Sequence, residues 1–221
     1  MNNREIYDEL MRELSQMDYI RSREVPNIEL YMDQVTTFME EHLKSGKRYE
    51  QDKILTKTMI NNYTKNRLLP APERKKYSKD HMLLLIFIYY FKSYLSISDI
   101  QTILDPITKS FFGKEEKMGM EDIYAEVFSY EKQSMKTLKE DLNTSFEMAM
   151  GSFEHAPEAD REYLRMFTFI CMLSFDVYLK KQMIESIIDK MREMSEKENL
   201  EKEAAKKETK KESKKEASKN E

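Results

Sequence analysis

A chain of 221 residues holds one or two small domains, and an apolar fraction of 40% is enough to bury a core. Only 4 Gly and 5 Pro leave little room for hairpins, so an all-α or mainly helical fold class is expected. The formal charge of −4 argues against nucleic acid on its face, but residues 44–79 hold 11 Lys/Arg against 3 Asp/Glu, a local +8. Counterion release depends on such a patch rather than on the chain total.

The N-terminus is polar and charged, so no signal peptide is expected. Residues 1–25 form an N-terminal segment in which Ile6, Leu10, Leu14 and Met17 predict an amphipathic helix over 4–20. Pro26 and Asn27 suit a helix start, and Ile28, Tyr31, Met32, Val35, Phe38, Met39 and Leu43 recur at helical spacing to about residue 44. Residues 44–53 read as a polar connection. Thr56 then caps a helix over about 56–67, with Ile60 and Tyr63 on its buried face. The other face carries Lys57, Thr58, Asn61, Asn62 and Lys65, donors of the kind that meet phosphates and base edges. Arg67 follows, Pro70 and Pro72 stop the helix, and Arg74, Lys75 and Lys76 make a basic run.

Ser78 opens a helix through about Lys92. Its run MLLLIFIYYF (82–91) is apolar on every side, hence central, and too short to span a membrane, which takes about 20 residues. Ser96 and Asp99 pair as cap and reciprocal acid for a short helix that Asp105-Pro106 is expected to end. Residues 106–119 read as a connector. Residues 120–194 read as a hairpin of two long helices, 120–153 and 157–194, that must pack on the rest of the chain, on a second copy, or both. Residues 195–221 are almost without apolar side chains and are expected to form a disordered charged tail.

The order Met59-Ile60-Asn61-Asn62-Tyr63-Thr64, Arg67-Leu68-Leu69-Pro70 and Ser78-Lys79-Asp80, with Leu95-Ser96-Ile97-Ser98-Asp99-Ile100 beyond it, resembles the DNA-binding domain of the MerR family of bacterial regulators over residues 26–105. More narrowly, it is similar to a bacterial domain-of-unknown-function family, number 1836, described as MerR-like regulators. The resemblance implies a helix-turn-helix with at most a minimal wing, double-stranded DNA as partner, and a homodimer. In those terms the DNA-binding set is Thr56, Lys57, Thr58, Asn61, Asn62, Lys65, Arg67, Arg74, Lys75 and Lys76. Asn61 stands where that family has an arginine, Asn62 where it has a tyrosine, and Ala71–Lys76 is a clipped wing. These departures motivate an alternative, a non-catalytic helical protein-interaction module that kept the fold but not DNA reading.

Catalysis is not expected. The sequence holds no glycine-rich phosphate loop, no nucleophile elbow and no paired Cys/His spacing, so no catalytic residue, metal or cofactor is assigned. His42, His81 and His155 are scattered, and His81 reads as structural. A single cysteine, Cys171, excludes an intrachain disulfide and fits the cytoplasm; lying in an apolar run, it is expected to be buried and inert. The 17 Met read mainly as core packing, with an effector, small molecule or protein, left open.

Overall fold

Residues 82–88 form the most deeply buried stretch of the chain, every side chain of the run being sequestered from solvent. Each such aliphatic or aromatic side chain contributes about 1.5–3 kcal/mol on burial, so the surrounding elements are organised around this helix. The computed structural model describes residues 2–17, 19–114 and 118–217, with side chains described through Glu201. In chain order the elements are α1 (Asn3–Gln16), β1 (Leu30–Tyr31), α2 (Met32–Leu43), α3 (Lys57–Lys65), β2 (Lys76–Tyr77), α4 (Lys79–Phe91), α5 (Ile97–Phe111), α6 (Met120–Ser129), α7 (Glu131–Met150) and α8 (Glu158–Ala217). Short 3-10 turns lie at Ser22–Glu24 and Lys44–Gly46. The fold is mainly all-α, with one two-stranded antiparallel ribbon pairing Leu30 with Tyr77 and Tyr31 with Lys76.

The caps read from the sequence are present. The Thr56 hydroxyl accepts the Met59 amide (3.1 Å), and that of Ser96 accepts the Asp99 amide (3.1 Å). At Ser78 the first turn closes differently: the backbone N–H (3.0 Å) and the hydroxyl (2.8 Å) both meet Nδ1 of His81. His81 is buried between the rings of Tyr77 and Phe112, and burial pushes its pKa down to about 4, a structural histidine held neutral.

Several boundaries differ from the sequence reading. Residues 28–31 do not begin α2; Leu30 and Tyr31 leave the helical pattern to pair with the ribbon strand 46 positions later in the chain. The helix expected to stop at Asp105-Pro106 continues to Phe111, with Pro106 exposed on its outer side while Ile103, Leu104 and Ile107 keep the inward stripe. The first arm of the expected hairpin is broken at Tyr130 into α6 and α7. Helix α8 does not stop at Met194 but runs to Ala217, through residues expected to be disordered. Lys, Glu and Ala, all strong helix formers, fill that stretch. Cys171 is exposed rather than buried.

The chain divides into two compact units, Met1–Leu179 and Lys180–Glu221. In the first, Tyr7 of α1 stacks on Phe146 of α7 (ring centres 4.1 Å) and meets Phe169 of α8 edge-on (6.1 Å). The Asn3 amide donates to the Glu162 carbonyl (2.8 Å), and Arg4 pairs with Glu147 (2.7 Å), so α1 is held by contacts far away in sequence. Tyr124 of α6 is fully buried and its hydroxyl donates to the Ile20 carbonyl, tying the segment after α1 to the centre. In the second unit, helical ion pairs such as Lys181–Glu185 (3.0 Å) and Arg192–Asp189 (3.0 Å) line the outer surface.

Candidate nucleic-acid interface

Helix α3 is short, and two positions decide how it sits. Ile60 and Tyr63 are buried, which turns Lys57, Thr58, Asn61, Asn62 and Lys65 outward; all five are exposed. Among the described residues the side-chain amides of Asn61 and Asn62 take no intramolecular partner. Thr56 is half-buried, its hydroxyl engaged in the cap.

The helix ends in a Schellman arrangement. The Arg67 amide bonds the Thr64 carbonyl (3.0 Å), and the Leu68 amide bonds the Tyr63 carbonyl (2.9 Å). This requires a left-handed backbone at residue 67, and Arg67 adopts it with φ 59°. Glycine is the ordinary occupant of that position because its lack of Cβ removes the steric penalty.

The basic run forms a tight turn. The Lys76 amide donates to the Glu73 carbonyl (2.8 Å), and the two central residues, Arg74 (φ 47°) and Lys75 (φ 65°), both have positive φ. That is the signature of a primed two-residue turn, which matches strand twist and usually takes Asn-Gly. Here two cations occupy it, both exposed at the tip.

Residues 29–33 bring the two parts together. Lys57 of α3 is ion-paired with Asp33 in the first turn of α2. Lys76 of β2 pairs with Glu29 (3.2 Å), and its ammonium lies 5.9 Å from the centre of the Tyr31 ring. The start of α3 and the base of the turn therefore both reach the same short segment. Of the ten residues singled out in the sequence, nine are exposed or carry a partly exposed cation, and Thr56 works as a cap. Sequence reasoning missed Tyr31, 55% exposed beside Lys76, because it read that residue as part of a helical stripe. It also missed Glu29 and Asp33, whose carboxylates offset two of the cations; no local signal marks them, since the pairing is tertiary.

No cluster of three or more His, Cys, Asp or Glu suited to a metal ion occurs among the described residues, and no helix there is long and apolar enough to cross a membrane. The set is a surface of amide, hydroxyl and cationic donors on a mainly helical scaffold. Residues 20–127, which contain that surface, match the family described as a domain of unknown function (DUF1836), and the match covers just under half of the chain. Comparison with curated proteins and with solved structures returns no match.

Proposed function

We propose that this protein is a cytoplasmic DNA-binding transcriptional regulator of the MerR-like kind, reading duplex DNA with the outer face of α3 and gripping phosphate with the Arg74–Lys75 turn. The observation that supports this best is the exposure of unpartnered amides on α3 next to a cationic turn tied to the same 29–33 segment. Asn61 and Asn62 carry the bidentate amide that suits adenine in the major groove, while Lys57, Lys65, Arg67, Arg74, Lys75 and Lys76 suit phosphate. The regulator acts as a homodimer without catalysis, through the exposed apolar stripe of α8.

The test is fluorescence anisotropy on a labelled duplex pool across a salt series. Replacing Lys57, Arg74 or Lys75 by alanine removes one phosphate ion pair each time, and the slope of log affinity against log salt falls by about one per substitution. Absence of binding at low salt, or indifference to all three substitutions, overturns the reading.

A second reading is favoured by Glu29 and Asp33. Their carboxylates already engage Lys76 and Lys57, and acids so placed repel phosphate. On this reading the domain is a protein-interaction module, and a pull-down recovers a stable protein partner without enrichment of DNA.

A further inference from the structure

A cavity of about 200 Å³ opens where α1, the turn after α2, α4 and α7 meet. Its aromatic wall is continuous: the rings of Tyr19 and Tyr90 are 5.1 Å apart and those of Tyr90 and Tyr89 5.5 Å. Leu14, Met17, Met135 and Leu138 supply aliphatic and thioether surface from α1, the residue after it, and α7. Among the described residues no Asp, Glu, Lys or Arg lines it. The polar groups are three phenol hydroxyls, the Ser45 hydroxyl and the His42 ring, and the geometry of His42 is defined. Its Nδ1 lies 2.9 Å from the Phe38 carbonyl, which only accepts, so Nδ1 donates and Nε2 is the ring nitrogen left for a ligand.

We propose that this cavity is a binding site for a neutral aromatic molecule of one or two fused rings bearing a single hydrogen-bond donor. The volume sets the size, since a dry apolar cavity of about 150 Å³ already takes up benzene. Methionine sulfur and aromatic faces set the shape, a flat ring with a polarizable surface. No cation lines the cavity among the described residues, so a carboxylate there loses hydration without a partner, and this sets the sign. His42 Nε2 receives the ligand's N–H or O–H.

The position gives the site a consequence. The turn at Lys44–Gly46 leads from α2 toward α3, and its Gly46 sits so close to Tyr89 that a Cβ would lie 2.8 Å from the phenol oxygen. A ligand wedged against Tyr89 and Tyr90 therefore presses on the connection between the two helices. That consequence rests on the DNA-binding reading; the ligand site does not.

The test uses the full chain labelled with 13C at the methionine methyls, with indole as probe and benzoate as a charged aromatic of similar overall size. Indole shifts the Met17 and Met135 signals saturably and leaves Met148, on α7 outside the cavity, in place. Benzoate binds about tenfold more weakly or worse, since its carboxylate goes unpaired. Leu14→Trp and Leu138→Trp fill the cavity from two separate, partly exposed walls, and each abolishes the indole response while the protein stays folded. The proposal is overturned if millimolar indole moves neither signal, if benzoate matches indole, if both filled variants still respond, or if the two signals follow protein concentration instead of probe, which would make a second copy the occupant. Loss of DNA binding in an independent assay leaves these readouts untouched, so the two failures are distinguishable.

Discussion

Lys57 on α3 is ion-paired with Asp33 in the first turn of α2. Both side chains are well exposed, and an exposed pair of this kind contributes about 0–1 kcal/mol to stability. If α3 lies in a groove, Asp33 therefore costs more in phosphate repulsion than it returns in folding. Asp33→Asn is expected to leave the melting temperature within a degree or two of wild type and to tighten duplex binding several-fold at low salt. Anisotropy titration of the variant against wild type checks this. Unchanged or weaker binding would place Lys57 away from the DNA.

Three cations stand on left-handed backbone within nine residues: Arg67, Arg74 and Lys75. An L-residue with a Cβ costs about 1–2 kcal/mol in that conformation, which glycine avoids. The strain coincides with the proposed contact surface, where such costs tend to be retained for binding. Arg67→Gly and the double change Arg74→Asn with Lys75→Gly are expected to raise stability by about 1 kcal/mol each while lowering DNA affinity and the salt slope. Thermal unfolding and the salt series together decide the matter. Variants that gain stability without losing affinity would show that these cations face solvent only.

The same positions show what a sequence can and cannot reveal. Thr56, Ser96 and the all-apolar run of α4 were readable because a cap and a burial pattern are local. The left-handed turns were not, because glycine, the usual marker, is replaced by Arg or Lys. Strand β1 was hidden for another reason. Its partner Tyr77 lies far along the chain, and Ile28, Tyr31 and Met32 also satisfy a helical stripe. Pro106 misled in the opposite direction: it removes one hydrogen bond, but the stripe of Ile103, Leu104 and Ile107 against the core outweighs it. Cys171 shows the limit of composition, since an apolar run implies burial only if every side of the helix has a neighbour.

His81 predicts a pH dependence. Burial lowers its pKa from 6.5 to about 4, so on acidification the unfolded chain takes up the proton first. Its contribution to stability is complete above pH 6.5 and is lost progressively as the pH falls toward 4. Wild type should lose a few kcal/mol over that window, because a pKa difference of one between folded and unfolded chain is worth about 1.4 kcal/mol. His81→Gln, which keeps an acceptor for Ser78 and cannot take up a proton, should show a shallower fall even if it starts less stable. Chemical denaturation at stepped pH measures both slopes, and parallel slopes would remove His81 as the cause.

Helix α8 carries a second apolar stripe on the side away from Phe169. Tyr163 (72% exposed), Phe167, Ile170 and Tyr178 lie at spacings of four, three and eight residues, a seam for another helix. Val177 (66% exposed) extends the same side, and a contiguous exposed apolar stripe of this kind is more than a monomer usually leaves bare. On the homodimer reading proposed above, the occupant is a second copy, packed antiparallel. That orientation sets the acidic start of α8 (Glu158, Asp160 and Glu162) against the lysines at 180 and 181 of the other chain, whereas parallel packing sets like against like. The midpoint of 163–179 is Cys171, which is exposed, so the two thiols of an antiparallel pair face each other across the two-fold axis. Light scattering should give a dimer, a short bismaleimide should join the chains through Cys171, and Phe167→Glu with Tyr178→Glu should yield a folded monomer. A monomer at all concentrations would sink the pairing, and a dimer that the cross-linker cannot trap would sink its antiparallel register.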